Sequence, residues 1–317
     1  MYWKVIKFIV LIIIPLNFIL GMRISKIEAL KMNRYIKVEN DIRLWVETYG
    51  DESDEAVLFI SGAGANSSFW SERLCDELAE KGFYVIKYDH RDFGYSSKID
   101  YKKHPFDVIQ LTKDAITIMN SLNVKKAHVV GHSMGGFIAQ LLAIHYPKRV
   151  ISIVSASSST NAESVPPPPP KTWEIFMENN PTNNFVNDLE GFLKVWKYLN
   201  GTAEFDKDLA VEYTRNLYER QEIKGAIGAS HVKAQSNLND RTEQLKKLQV
   251  PALIIHGEED YLVDKFGGVQ TAECLESSRL VLIPEMGHIP FNEQILARFE
   301  QEIIQFVEKN RRKTDSN

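Results

Sequence analysis

The chain is organised by a change of hydrophobic period. From Arg34 to Gly50 apolar and polar residues alternate around Asn40-Asp41 (RYIKVENDIRLWVETYG), which predicts a β-hairpin. The run AVLFISG (Ala56–Gly62) is apolar throughout and ends in glycine, the pattern of a strand buried on both faces. In FWSERLCDELAEKG the residues Phe69, Trp70, Leu74 and Leu78 recur near helical spacing, and Gly82 stops the helix. The same two patterns then alternate: strand FYVIKYD, helix VIQLTKDAITIMNSL, strand AHVVGHS, helix MGGFIAQLLAIHYP, strand VISIVSAS. Strand-helix alternation of this kind predicts an α/β fold, with a mostly parallel central sheet and helices on both faces.

The rhythm breaks between residues 157 and 248. Five consecutive prolines, Pro166–Pro170, form a stiff extended link, and the remainder is polar and helical. Ninety residues are too many for a structureless loop, so this stretch is an inserted helical cap. The cap separates a first core part, residues 34–156, from a second, 249–310. In the second part the strands PALIIHGEED and RLVLIPEMGH and the closing helix NEQILARFEQEIIQFVEK resume the sheet.

One segment lies outside this plan. MYWKVIKFIVLIIIPLNFILGMR sets Lys4 and Lys7 ahead of an apolar run interrupted by Pro15 and Asn17. Residues 1–22 read as an uncleaved membrane anchor, a cleaved export signal, or an extension ahead of a start at Met22 or Met32. The first two place the protein at or beyond a membrane; the third leaves it cytoplasmic. The net charge of −4 argues against a nucleic-acid partner. The two cysteines, Cys75 and Cys274, belong to no C-x-x-C pair, so no zinc site is expected. In an exported protein they could pair as one disulfide.

The candidate chemistry begins at Gly131-His132-Ser133-Met134-Gly135, a G-x-S-x-G motif between a strand and a helix. The glycines leave room for a tight turn that exposes Ser133 as a nucleophile. A serine hydroxyl needs a base. Of eight histidines, His288 is best placed, just past the last strand in PEMGHIPF. The base needs a carboxylate. Asp260 is the candidate, ahead of Glu258, Glu259 and Asp264, because it precedes the apolar Tyr-Leu-Val. An oxyanion would need N–H donors. These are assigned to Met134 and, in the small-residue loop SGAGANSSFW, to Ala63. That loop lacks the third glycine of a dinucleotide fingerprint, and no cofactor or metal is implied.

Four motifs, SGAGANSSFW, YDHRDFGYSS, VVGHSMGG and HGEED with MGH, together resemble the α/β-hydrolase family from about Arg34 to Lys309. YDHRDFGYS and the proline-rich start of the insertion are similar to its aclacinomycin methylesterase-like branch. Many relatives carry His-Gly where Ser61-Gly62 stands here, and glycine at the position of Asp92. The resemblance implies a serine hydrolase cleaving a small-molecule carboxylic ester through an acyl-enzyme. The alternatives it leaves are a non-catalytic ligand-binding homologue, a C–C hydrolase, a cofactor-free haloperoxidase-like enzyme, or an acyltransferase. It also implies a lid over the carboxyl ends of the strands, carrying substrate choice but none of the reacting groups.

Overall fold

A computed structural model describes residues 31–223 and 227–312. The apolar segment 1–22 lies outside the described residues. Among them, no helix is long and apolar enough to cross a membrane.

The hairpin β1 (Met32–Glu39) and β2 (Ile42–Tyr49) turns at Asn40, whose φ of +42° is one that asparagine tolerates. There follow β3 (Glu55–Ile60), α1 (Glu72–Glu80), β4 (Phe83–Tyr88), α2 (Val108–Ser121), β5 (Ala127–His132), α3 (Met134–His145) and β6 (Val150–Ala156). The strands form one eight-stranded sheet in the order β1-β2-β4-β3-β5-β6, continued by β7 (Ala252–Gly257) and β8 (Ser278–Ile283). Only β2 runs against its neighbours β1 and β4; the other pairings are parallel.

Strand alternation splits the core in two. Leu58 and Ile60 face a layer built on α2 and α3, while Val57 and Phe59 face α1 and α10 (Glu293–Lys309). All four are fully buried, and each contributes about 1.5–3 kcal/mol. Helix starts are fixed locally: Ser71, Asp107 and Asn292 accept backbone N–H groups at the heads of α1, α2 and α10. This division corrects the disulfide expectation. Cys75 lies in the α1/α10 layer and Cys274, at the end of α9 (Lys265–Cys274), in the opposite one, and both are free and buried. With the sheet between them their sulfurs cannot meet.

Between β6 and β7 the chain runs through α4 (Pro170–Glu178), α5 (Phe185–Leu199), α6 (Lys207–Arg220), α7 (Ala229–Ala234) and α8 (Thr242–Leu245). Phe192, Trp196, Tyr213 and Leu217 pack together with Phe93 and Phe291 of the core. Trp173, by contrast, is 48% exposed. The last residue of α6, Arg220, reaches down into the sheet. Its guanidinium donates to Glu47 Oε1 (2.7 Å) and Ser67 Oγ (2.8 Å) and lies 3.6 Å from Asp89. Lys87 approaches the same Glu47 carboxylate at 3.5 Å. Burial opposes ionisation of Glu47, but Lys87 and Arg220 outweigh it and hold its pKa at about 2, against 4.5 for an ordinary glutamate.

Because the folded value lies below the unfolded one, the stabilisation from Glu47 is complete above about pH 4.5 and is lost as pH falls toward 2. Glu47→Gln leaves two cations buried without their carboxylate and should destabilise by about 3–5 kcal/mol at neutral pH. Urea titrations across this range should show the gap between wild type and variant narrowing below pH 4.5. A constant gap would show that the ion cluster is not what Glu47 contributes.

Candidate active site

Ser133 is where β5 turns into α3, at φ +54° and ψ −119°, a conformation that costs a non-glycine residue roughly 1–3 kcal/mol. The surroundings impose it. The Ser133 N–H donates to Ala156 O (2.8 Å), and its carbonyl accepts from Gly136 N (2.9 Å) and from Ser158 Oγ (2.9 Å). A Cβ on Gly131 would stand 2.0 Å from Gly135 O, and one on Gly135 would stand 2.1 Å from Ile60 O. Any side chain at either glycine would force the strand, the helix and the neighbouring strand apart.

His288 follows β8, in a loop held from several directions. Gly287 N and Ile289 N donate to the carbonyls of Asn200 (2.8 Å) and Leu199 (3.0 Å) at the end of α5. Gly257, at the end of β7, allows Met286 O within 2.2 Å of where its Cβ would be. The inserted helices therefore contain none of the five residues singled out from sequence, yet they position one of them. This adds to the expected division between a lid that selects and a core that reacts.

His288 Nδ1 lies 2.8 Å from Asp260 Oδ2. Asp260 Oδ1 accepts two backbone N–H groups, from Leu262 and Val263, both at 2.9 Å. Burial disfavours the Asp260 charge, but His288 and His256 more than compensate and hold the carboxyl well below the usual range. A carboxylate only accepts, so the proton between the two residues is on His288 Nδ1, and Nε2 carries the lone pair. The rival carboxylates have other tasks: Glu259 accepts from Tyr261, and Asp264 caps α9.

Ser133 Oγ makes no hydrogen bond among the described residues. The turn is tied to the His288 loop by the neighbouring residue His132, for which the sequence suggests no role. His132 Nε2 donates to the backbone carbonyl of His288 (2.8 Å), and the two rings are 4.9 Å apart. Burial, with His288 nearby, lowers the His132 pKa to about 3, so this ring stays neutral. The signal was its place beside Ser133; its partner 156 residues away was not readable from spacing. His256, near the end of β7, is also engaged. Its Nε2 donates to Val263 O (2.9 Å) and lies 3.3 Å from Asp260 Oδ2.

The Ala63 and Met134 N–H groups donate to no acceptor among the described residues. The loop that carries Ala63 is braced by the YDHRDFGYS segment. Asp89 accepts from Ser67 N (2.7 Å) and Tyr95 N (2.8 Å), and His90 Nε2 donates to Ser61 O (3.0 Å). Asp92 adopts φ +64°, which gives a physical reason for a residue tolerant of the left-handed region there. A cavity of about 500 Å³ lies beneath α6, lined by Phe69, Trp70, Tyr213, Arg220, Phe291 and Phe299. Ser133 is not on its wall, but Phe69 is, and the Phe69 ring is 4.4 Å from that of His132. No cluster of three or more His, Cys, Asp or Glu side chains suited to a metal ion occurs among the described residues.

Another serine, histidine and carboxylate, Ser152, His128 and Glu55, meet within the sheet. His128 Nδ1 lies 2.7 Å from Ser152 Oγ, and its Nε2 lies 2.9 Å from Glu55. Both Ser152 and His128 are fully buried within regular strands. Ser133 differs in its strained turn, its partial exposure and a hydroxyl that is not already engaged by an imidazole.

A sharp strand-to-helix turn bearing a serine, at the carboxyl edge of a mostly parallel sheet with an Asp–His pair beside it, defines a class of protein. The chain belongs to the α/β hydrolase fold family, whose model matches residues 55–294. It is 27% identical over 276 residues to rhodomycin D methylesterase DauP of Streptomyces sp. (strain C5), covering 79% of this chain and 90% of that one. It is 29% identical over 256 residues to the serine hydrolase BPHL of Homo sapiens, covering 78% of each. The crystal structure of a bromoperoxidase from Bacillus anthracis shares the fold, with a TM-score of 0.70 at 24% identity, covering 87% of this chain and 100% of that one.

Strain at Ser133 has a measurable consequence. Ser133→Gly should unfold at a higher temperature than Ser133→Ala, with a difference of about 1 kcal/mol, because glycine relieves the φ penalty at some entropic cost. Equal melting temperatures by calorimetry would contradict the strain.

Proposed function

We propose that the protein is a serine hydrolase that cleaves a small-molecule carboxylic ester through an acyl-enzyme. Ser133 Oγ attacks the carbonyl carbon while His288 Nε2 takes its proton. The C–O bond to the alcohol then breaks, and His288 returns that proton to the leaving oxygen. Water adds to the acyl-enzyme by the same proton path, releasing the carboxylic acid and restoring Ser133. Asp260 holds the His288 tautomer and stabilises the imidazolium. The Ala63 and Met134 N–H groups receive the oxyanion, each worth about 3 kcal/mol in the transition state.

The observation that carries this reading is the Ser133 backbone. The combination of φ +54° and ψ −119°, held by the close packing at Gly131 and Gly135, carries a standing strain cost and lifts a partly exposed hydroxyl out of the strand. The Asp260–His288 pair and the two unpartnered N–H groups supply what such a serine needs. The methylesterases among its relatives favour a methyl or similarly small alcohol as leaving group. The inserted helices act as a cap over the site, and their buried aromatics pack the cap itself.

Assay on p-nitrophenyl and methyl esters of varied acyl length tests the reading. Ser133→Ala should abolish turnover and labelling by a fluorophosphonate. Asp260→Asn should keep the fold but lower kcat by about 10³–10⁴, since the amide favours the wrong tautomer of His288. Undiminished hydrolysis by folded Ser133→Ala would refute the mechanism. Slow labelling of wild type together with ligand binding would favour a non-catalytic homologue.

A further inference from the structure

His231 is a fully buried histidine on α7, far in sequence from every residue of the proposed mechanism. Its Nε2 lies 2.8 Å from the carbonyl of Arg91, which can only accept, so Nε2 carries the proton. Burial is the main effect lowering the pKa of this ring, which favours the neutral form. In that form Nδ1 is a bare lone pair, and the group in front of it is the N–H of Gly64, at 3.4 Å. The same turn of chain makes a second contact. Gly228, just before α7, has φ +66°, and a Cβ there would stand 2.5 Å from Gly64 N and 3.2 Å from the carbonyl carbon of Ala63. The inserted chain thus rests on the peptide that follows Ala63 and also offers it a hydrogen-bond acceptor.

We propose that His231 is a positioning residue for the oxyanion loop. It accepts the Gly64 N–H and so turns the Ala63–Gly64 segment until the Ala63 N–H faces the reacting carbonyl. This inference rests on the assignment of Ala63 as an oxyanion donor. Gly64 and Ala65 offer competing N–H groups nearby. Ala65 N is engaged by Gly62 O at 3.3 Å, and His231 engages Gly64, which leaves Ala63 as the free donor. The loop is otherwise rich in small residues (SGAGANSS) whose backbone has many conformations to choose from. Its flanks are fixed by His90 on Ser61 O and by Asp89 on Ser67 N. His231 is the side chain that fixes its middle. The bond is long in the free protein, as hydrogen bonds that tighten in a transition-state complex often are.

Two isosteres separate positioning from packing. In His231→Asn the amide oxygen falls where Nδ1 was and can still accept from Gly64. In His231→Gln the polar atoms fall at the Nε2 position, so the Arg91 link survives and the Gly64 acceptor is lost. On an ester that Ser133 turns over, His231→Gln and His231→Phe should lose about tenfold in kcat with KM little changed, a fraction of what deleting an oxyanion donor costs. His231→Asn should stay within about threefold of wild type. Hydrogen exchange of the Gly64 amide, followed by NMR in glycine-labelled protein, should quicken by about fivefold in the Gln and Phe variants and not in Asn. Equal kinetic losses in Asn and Gln, or Gly64 exchange indifferent to all three substitutions, would overturn the proposal. If the wild type cleaves no ester, the hydrolase reading has failed, and Gly64 exchange alone still decides whether His231 holds the loop.

Discussion

Everything around the site follows from how closely three backbones approach at Gly131, Gly135 and Ile60. With the virtual Cβ of Gly135 only 2.1 Å from the Ile60 carbonyl, α3 must start directly against β3. That closeness drives Ser133 to φ +54° and lifts its side chain out of the strand. It also brings the head of α3, with its free N–H groups and positive dipole end, beside the loop that leaves β3. One steric constraint therefore sets the turn at Ser133 and puts the Met134 N–H next to the loop that leaves β3.

The polar groups around this point are arranged by proton accounting. Backbone carbonyls accept from Nε2 of His90, His132, His231 and His256, and in the first three, where burial favours the neutral ring, Nδ1 is left bare. His288 is the exception. Its Nδ1 faces a carboxylate and its bare nitrogen is Nε2. Two of these imidazoles meet the Asp260 carboxylate, His288 through Nδ1 at 2.8 Å and His256 through Nε2 at 3.3 Å, and only His288 does so with the nitrogen that leaves Nε2 free. The His128–Ser152–Glu55 set makes the complementary point. Right residue types at good distances do nothing when the hydroxyl lies in an unstrained strand out of reach of any substrate.

The inserted helices reach the core at several points. The carbonyls closing α5 hold the loop of His288, Arg220 at the end of α6 binds Glu47 beside Asp89, and α7 rests on Gly64. The inserted helices therefore touch both the loop that carries His288 and the loop that carries Gly64.

What the sequence determined by itself is what short-range sterics and periodicity determine. Strand runs, helix caps, the Asn40 turn, the two glycines flanking Ser133 and the acidic residue ahead of Tyr261 are all written within a few residues of where they act. The α/β architecture follows from them because strand-helix alternation admits few packings. Tertiary structure alone decided the partners that lie far apart in the chain. Gly64 with His231 spans 167 residues, Glu47 with Arg220 spans 173, and His132 with His288 spans 156. It also put Cys75 and Cys274 on opposite faces of the sheet. Spacing carries no record of such contacts. They are products of the folded shape, in which burial makes each polar group find whichever partner the packing brings within reach.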